Sequence, residues 1–107
     1  IAMLFSSVTG ISKCGSYTGN GNTGQTITTG FQPRFLIIKR ASGVQNWLVL
    51  DTTRGWGSGN ENFLKLNTDD AQASHDFGAP TSNGFTLTGN MGQVNVSGDS
   101  FIYYAHA

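Results

Sequence analysis

Residues 97–106 read SGDSFIYYAH and decide the fold, because a turn-forming triplet leads directly into a strand pattern. Ser97-Gly98-Asp99 consists of residue types that tight turns favour. The side chains that follow alternate between two sets, which are Ile102, Tyr104, His106 and Phe101, Tyr103, Ala105. A period of two places the two sets on opposite faces of a β-strand. The stretch therefore predicts a turn followed by a strand.

The same unit of turn and short strand recurs along the whole chain. Turn signals are spaced by roughly 8–12 residues, which is typical of a sandwich or barrel of short strands. The predicted strands cover 3–8, 12–18, 25–29, 34–40, 47–51, 62–66, 84–88, 93–96 and 100–106. Residues 35–38, FLII, are apolar on both faces and predict a central strand, whereas 68–75 predicts a loop or one short turn. We therefore predict an all-β fold, an antiparallel β-sandwich with one solvated face per sheet.

Composition narrows the classes of function. A chain of 107 residues and 11.4 kDa is expected to form one domain, 1–107. Six Lys and Arg balance six Asp and Glu, which argues against nucleic acid or an anionic membrane as partner. No run of apolar residues approaches the length of a membrane span, about 18 residues, so no membrane insertion is expected. The start lacks a signal peptide and an initiator Met, so we expect a piece of a longer polypeptide.

A glycine motif at residues 19–24 allows two interpretations. Gly19, Gly21 and Gly24 match the spacing of a dinucleotide-binding loop. That site needs a helix after the loop, but the β-branched segment 25–29 follows. The pattern therefore favours a glycine-rich hairpin loop.

Residues that could bind a metal or act in catalysis are sparse. The chain has one Cys and two His, and no spacing among Cys14, His75 and His106 predicts a metal site or a Cys–His pair. The acids Asp69, Asp70 and Asp76 lack the rhythm of a calcium loop. We therefore predict no catalytic residue, no metal and no cofactor. Nothing in the sequence indicates the paired carboxylates of a glycosidase. If the domain were a glycan-depolymerising enzyme, Asp51 and Glu61 are the acids whose substitution would test it.

Two features favour a structural or binding role. Asp51 and Arg54 stand three residues apart at the end of an apolar strand, and predict either an Asp–Arg pair or an Asp cap on the backbone of the next loop. Trp56 lies among glycines and amides, where an indole stacks on a sugar or anchors a protein contact. The alternative for Trp56 is an indole folded back onto the sandwich or packed at a subunit interface. The candidate receptor-binding residues are Trp56, Asn60, Asn62 and His75.

Several motifs, in this order, resemble a β-sandwich module of tailed-phage structural proteins. They are GSYTGNG (15–21), GFQPRFLIIKR (30–40), WLVLDTTRG (47–55), NGFTL (83–87) and SGDSFIYYA (97–105). The resemblance covers nearly the whole chain and implies a jelly-roll or concanavalin-like sandwich. Its motifs imply structural roles for Gly30, Phe31, Pro33, Trp47, Asp51 and Arg54. Cys14 and Trp56 depart from the pattern.

The resemblance also implies a function. We expect a virion structural protein, a tail-fibre or appendage module that attaches to a host surface glycan or protein and contacts other virion proteins. A homo-oligomer is expected, with a trimer favoured, and the module is not expected to be an enzyme. The alternative is a capsid-decorating or spacer protein without a receptor role, and an enzyme is the third class.

Overall fold

The fold is built from short antiparallel strands. The computed structural model describes residues 4–57, 59–89 and 92–107. Within them the strands are β1 (Ser12–Thr18), β2 (Gln25–Thr28), β3 (Phe35–Arg40), β4 (Leu48–Asp51), β5 (Glu61–Lys65), β6 (Ala73–His75), β7 (Gly78–Thr81), β8 (Gly84–Leu87) and β9 (Ser100–His106). A single 3₁₀ turn, Thr52–Arg54, follows β4. No helix of these residues is long and apolar enough to cross a membrane.

The strands form two antiparallel sheets. The larger has the order β1-β9-β3-β4-β5-β6 and the smaller the order β2-β8-β7. Side chains from both sheets meet in one core, where the rings of Phe85 and Tyr103 lie 5.4 Å apart edge to face. The all-β class is confirmed, and the two sheets packed over a shared core are consistent with the predicted sandwich.

The predicted central strand is confirmed. Strand β3 lies between β9 and β4, and Leu36, Ile37 and Ile38 are all buried. Leu36 and Ile38 enter the core between the sheets, while Ile37 faces the other side of the larger sheet. A strand paired on both edges and covered on both faces needs the continuous apolar run that FLII supplies.

Two strand predictions are wrong, and two strands were not foreseen. Residues 4–8 hold only an isolated bridge from Val8 to Ser12, and position 3 lies outside the described residues. Segment 93–96 forms a turn, in which Val94 and Asn95 are both buried instead of facing opposite sides as they would in a strand. Conversely, β6 forms in the predicted loop 68–75 by pairing with β5, and β7 forms by pairing with β8.

The turn at 93–96 is fixed by side chains that bond to backbone. The Tyr17 hydroxyl donates to the carbonyl of Val94 at 2.7 Å. The fully buried Asn95 amide accepts from the N–H of Asn20 (3.0 Å) and donates to the carbonyl of Asn22 (2.9 Å). These bonds replace the ladder that a strand would make.

The same bonds explain the glycine-rich loop. The predicted hairpin is wrong, because β1 belongs to the larger sheet and β2 to the smaller, so residues 19–24 cross from one sheet to the other. Gly21 and Gly24 have φ of 71° and 95°, which glycine adopts without strain. The hydrogen bonds of Asn95 to the backbone of Asn20 and Asn22 hold this connection between the two sheets in place.

Gly30, Phe31 and Pro33 lie in the segment between β2 and β3. Gly30 has a φ of 88°, Phe31 packs against the core and Pro33 is buried. The turn thus directs Phe31 inward before β3 begins.

Asn95→Ala is expected to lower the free energy of unfolding by about 2 kcal/mol, because it removes the hydrogen bonds that the buried Asn95 side chain makes to the backbone of the glycine-rich loop. Urea denaturation measures the loss. Asn60→Ala, at an exposed asparagine, is the matched control and should change stability little. Equal stability of the two variants would contradict the role given to Asn95.

Candidate functional site

Asp51 caps the turn that follows β4. Its Oδ1 accepts from the N–H of Thr53 at 2.8 Å, and its Oδ2 lies 3.1 Å from Nη1 of Arg34. Arg54 instead donates to Oε1 of Gln72 at 2.8 Å. Of the two interpretations of the Asp51–Arg54 motif, the backbone cap is therefore the one the structure supports, and the ion pair forms with Arg34.

Trp56 is buried and does not lie at the surface with the other candidate receptor-binding residues. The 3₁₀ turn ends at Gly55, whose φ of 110° reverses the chain, and the N–H of Trp56 bonds to the carbonyl of Asp51 at 3.1 Å. This return directs the indole into the core, where it is 3% exposed and its ring lies 6.4 Å from that of Phe85. The alternative, an indole folded back onto the sandwich, describes its position.

The other three candidate residues lie at one edge of the larger sheet. Asn60 precedes β5, and the edge strand β6 carries His75 opposite Glu61 and Ser74 opposite Asn62. Asn60 and His75 are exposed, and Asn62 is half-buried. We call Asn60, Asn62, Ser74 and His75 the contact edge.

Within the contact edge, side chains belong to both faces of the sheet. Asn62 lies on the outer face, away from the core, and its Nδ2 donates to the carbonyl of Arg54 at 2.9 Å. His75 is on the same side as the buried Glu61, and its ring lies 5.1 Å from that of Phe77. A partner must therefore wrap around the edge to meet both.

Sequence reasoning missed an apolar groove on the outer face of the larger sheet. It has a volume of about 520 Å³, and its lining includes Phe5, Cys14, Ile37, Trp47, Ile102 and Tyr104. The rings of Phe5 and Tyr104 are stacked with centroids 4.2 Å apart. The outer face of β9 was expected to face solvent. Ile102 and Tyr104, which lie on that face, could have indicated that both faces of β9 are apolar. The lone Cys14 is half-buried here.

Sequence reasoning also missed the position of Glu61. Its side chain is 0% exposed, and its Oε1 accepts from the N–H of Phe77. Burial raises the pKa of the Glu61 carboxyl to about 7, and the Asp76 carboxylate adds to the rise. The residue is inaccessible to a glycan, and it lies on the core face of the sheet whereas Asp51 lies on the outer face beside Arg34.

Of the candidates for a metal or catalytic site, Cys14 and His106 lie on the outer face of the larger sheet, whereas His75 lies on its edge strand β6. Nδ1 of His106 lies 3.0 Å from the hydroxyl of Tyr104, on the outer face of β9. Over residues 4–57, 59–89 and 92–107, no three or more His, Cys, Asp or Glu side chains are grouped in a way that could hold a metal ion.

Trp56→Ala is expected to lower the free energy of unfolding by about 3–5 kcal/mol, because it empties a large volume in the core. Trp47→Ala is the matched control and should have a smaller effect, since Trp47 is half-buried in the open groove. Thermal or urea denaturation compares the two. A Trp56 variant that is the more stable of the pair would contradict this assignment.

Comparison with protein families matches the whole chain, residues 1–107, to the model described as domain of unknown function DUF7483. Neither the curated proteins nor the solved structures compared with the chain gave a match. The match spans both sheets, the contact edge and the groove. The chain therefore belongs to the DUF7483 family.

Proposed function

We propose that the domain is a non-catalytic attachment module of a phage virion structural protein and that it binds a host surface glycan or protein. The ordered series of motifs that resembles tailed-phage modules supports the virion assignment. The observation that carries the binding role is the contact edge, where polar residues of β5 and of the segment before it lie next to the edge strand β6, whose three residues are all exposed.

Part of this edge is ordered before any partner arrives. The Asn62 amide is tied to the carbonyl of Arg54, and the Arg54 guanidinium is tied to Gln72. Side chains that are already fixed lose less conformational entropy on binding. Amides and hydroxyls can donate and accept, which suits the hydroxyls of a sugar or the backbone of a peptide.

Association of several copies would strengthen a weak contact. We propose a homo-oligomer, with a trimer favoured, in which identical edges engage the host together and gain avidity. The apolar groove, with the neighbouring Leu4 93% exposed and Ile102 43% exposed, offers surface that a contact with another virion chain would cover.

Antibody raised against the domain is expected to label phage particles at fibres or other appendages in immunogold electron microscopy. Label over the capsid would favour a decorating or spacer protein instead. Label on no particle would contradict the virion assignment.

The double variant Asn60→Ala/His75→Ala is expected to bind host cells about tenfold more weakly, because it removes two exposed polar groups of the contact edge. Cell-binding titration with labelled protein measures the change, and the melting temperature checks the fold. Asn83→Ala is the control, since Asn83 is exposed on the turn between β7 and β8 of the smaller sheet. Unchanged binding by the double variant would argue against this edge as the receptor site.

A further inference from the structure

Glu61 is an acid placed in the apolar core. It is 0% exposed, and its neighbours include the buried rings of Phe63 and Phe77, which meet edge to face at 4.9 Å. Its Oε1 accepts the N–H of Phe77, while Oε2 has no hydrogen-bond partner among the described residues. Burying a charged carboxylate without a cation is strongly unfavourable, so the neutral acid suits this position.

The hydrogen bond from Phe77 connects the two sheets. Asp76 and Phe77 form the crossover, the two residues that lead from β6 of the larger sheet to β7 of the smaller. On the far side, the carbonyl of Phe77 accepts from the N–H of Thr88 at 3.1 Å, and the Thr88 hydroxyl donates to Oδ1 of Asp76 at 3.0 Å. Glu61 therefore holds the crossover from the side of β5.

The ionisable groups around Glu61 do not neutralise it. From β6 and the crossover come His75, its cross-strand partner, and Asp76, whose carboxylate opposes ionisation. On the adjoining elements, Arg54 bonds to Gln72 and Lys65 pairs with Asp70. The smaller-sheet strands β7 and β8 contain no ionisable side chain, and across the core β9 contributes the buried Tyr103.

We propose that Glu61 is a proton-controlled latch: its neutral carboxyl keeps the crossover docked, and loss of the proton favours local opening that exposes the carboxylate to water. In the neutral form Oε1 acts as the carbonyl acceptor for Phe77, and Oε2 carries the proton. Opening separates the Phe77 N–H from Glu61 and releases the short strand β6 from its anchor.

The direction of the pH effect follows from proton linkage. The carboxyl has a pKa of about 7 when docked, against 4.5 when solvated. Below pH 4.5 the acid is neutral in both states, and docking is at its most stable. Between these values opening becomes about tenfold easier per pH unit, and above the docked pKa the dependence levels off.

Amide hydrogen exchange of Phe77 and Gly78 tests the latch on the intact chain. Protection factors, corrected for the intrinsic pH dependence of exchange, are expected to fall on the order of 50-fold between pH 5 and pH 8 in the wild type. In Glu61→Gln, which keeps the shape and an acceptor oxygen, they should be independent of pH. Asp69→Asn, at an exposed loop acid, and His75→Gln, which removes the nearby imidazole, should keep the wild-type profile.

Asp76→Asn gives a test that does not depend on Glu61→Gln being folded. Removing the neighbouring negative charge should move the levelling-off of the wild-type profile to lower pH. A flat wild-type profile overturns the latch, as does a slope that Glu61→Gln retains. So does exchange of Phe77 at the same rate as Ile37 and Ile38 of β3 at every pH, since the opening would then be global. The measurement needs no host cell, so its outcome is separate from the proposed function.

Discussion

The pairing of β9 with both β1 and β3 is the constraint on which the rest of the structure depends. β9 pairs with β1 over seven residues and with β3 over six, and so brings the end of the chain between two early segments. Its two faces then have different tasks. Phe101, Tyr103 and Ala105 close the core, while Ile102 and Tyr104 form part of the outer groove. A strand used on both faces must be apolar on both, which SFIYYAH satisfies.

The longest strands were predictable because their sequence patterns, an alternation in β9 and a continuous apolar run in β3, are local. β1, β3 and β9 were found at or within one residue of their predicted ends. Strands β6 and β7 were missed because their residues carry no such pattern: ASH is exposed throughout, and GAPT contains a proline on an edge strand. Both form because a neighbour presents an unpaired edge, and a single sequence does not reveal which segments will meet.

The site shows the same limit. The cap at Asp51 was foreseen among two alternatives, since its partners lie two residues away. The burial of Trp56 was left open because it depends on Gly55 reversing the chain toward a core whose other wall, Phe85, lies far along the sequence. Of the contact-edge residues, Asn60, Asn62 and His75 were candidates from the sequence and Ser74 was not. The division of these side chains between two faces follows from the β5–β6 register, which the sequence does not reveal.

Two buried polar side chains illustrate how the core can use polarity in opposite ways. Asn95 bonds to backbone through both its oxygen and its nitrogen, so burial there specifies one path for the glycine-rich loop. Glu61 bonds through a single oxygen and lies beside Asp76, so burial there opposes the ionised carboxylate. In the proposed latch, the local structure therefore depends on whether Glu61 carries its proton.

Glu61 lies beside β6, a strand that is only weakly held in the sheet. β6 pairs with β5 over three residues and has no strand on its other side, so few hydrogen bonds resist its release. The Asn95 region, by contrast, is held by Tyr17 from β1 as well. If the contact edge is the receptor site, the segment that would meet the host is also the segment whose docking depends on the proton of Glu61, and its order would then follow the acidity of its surroundings.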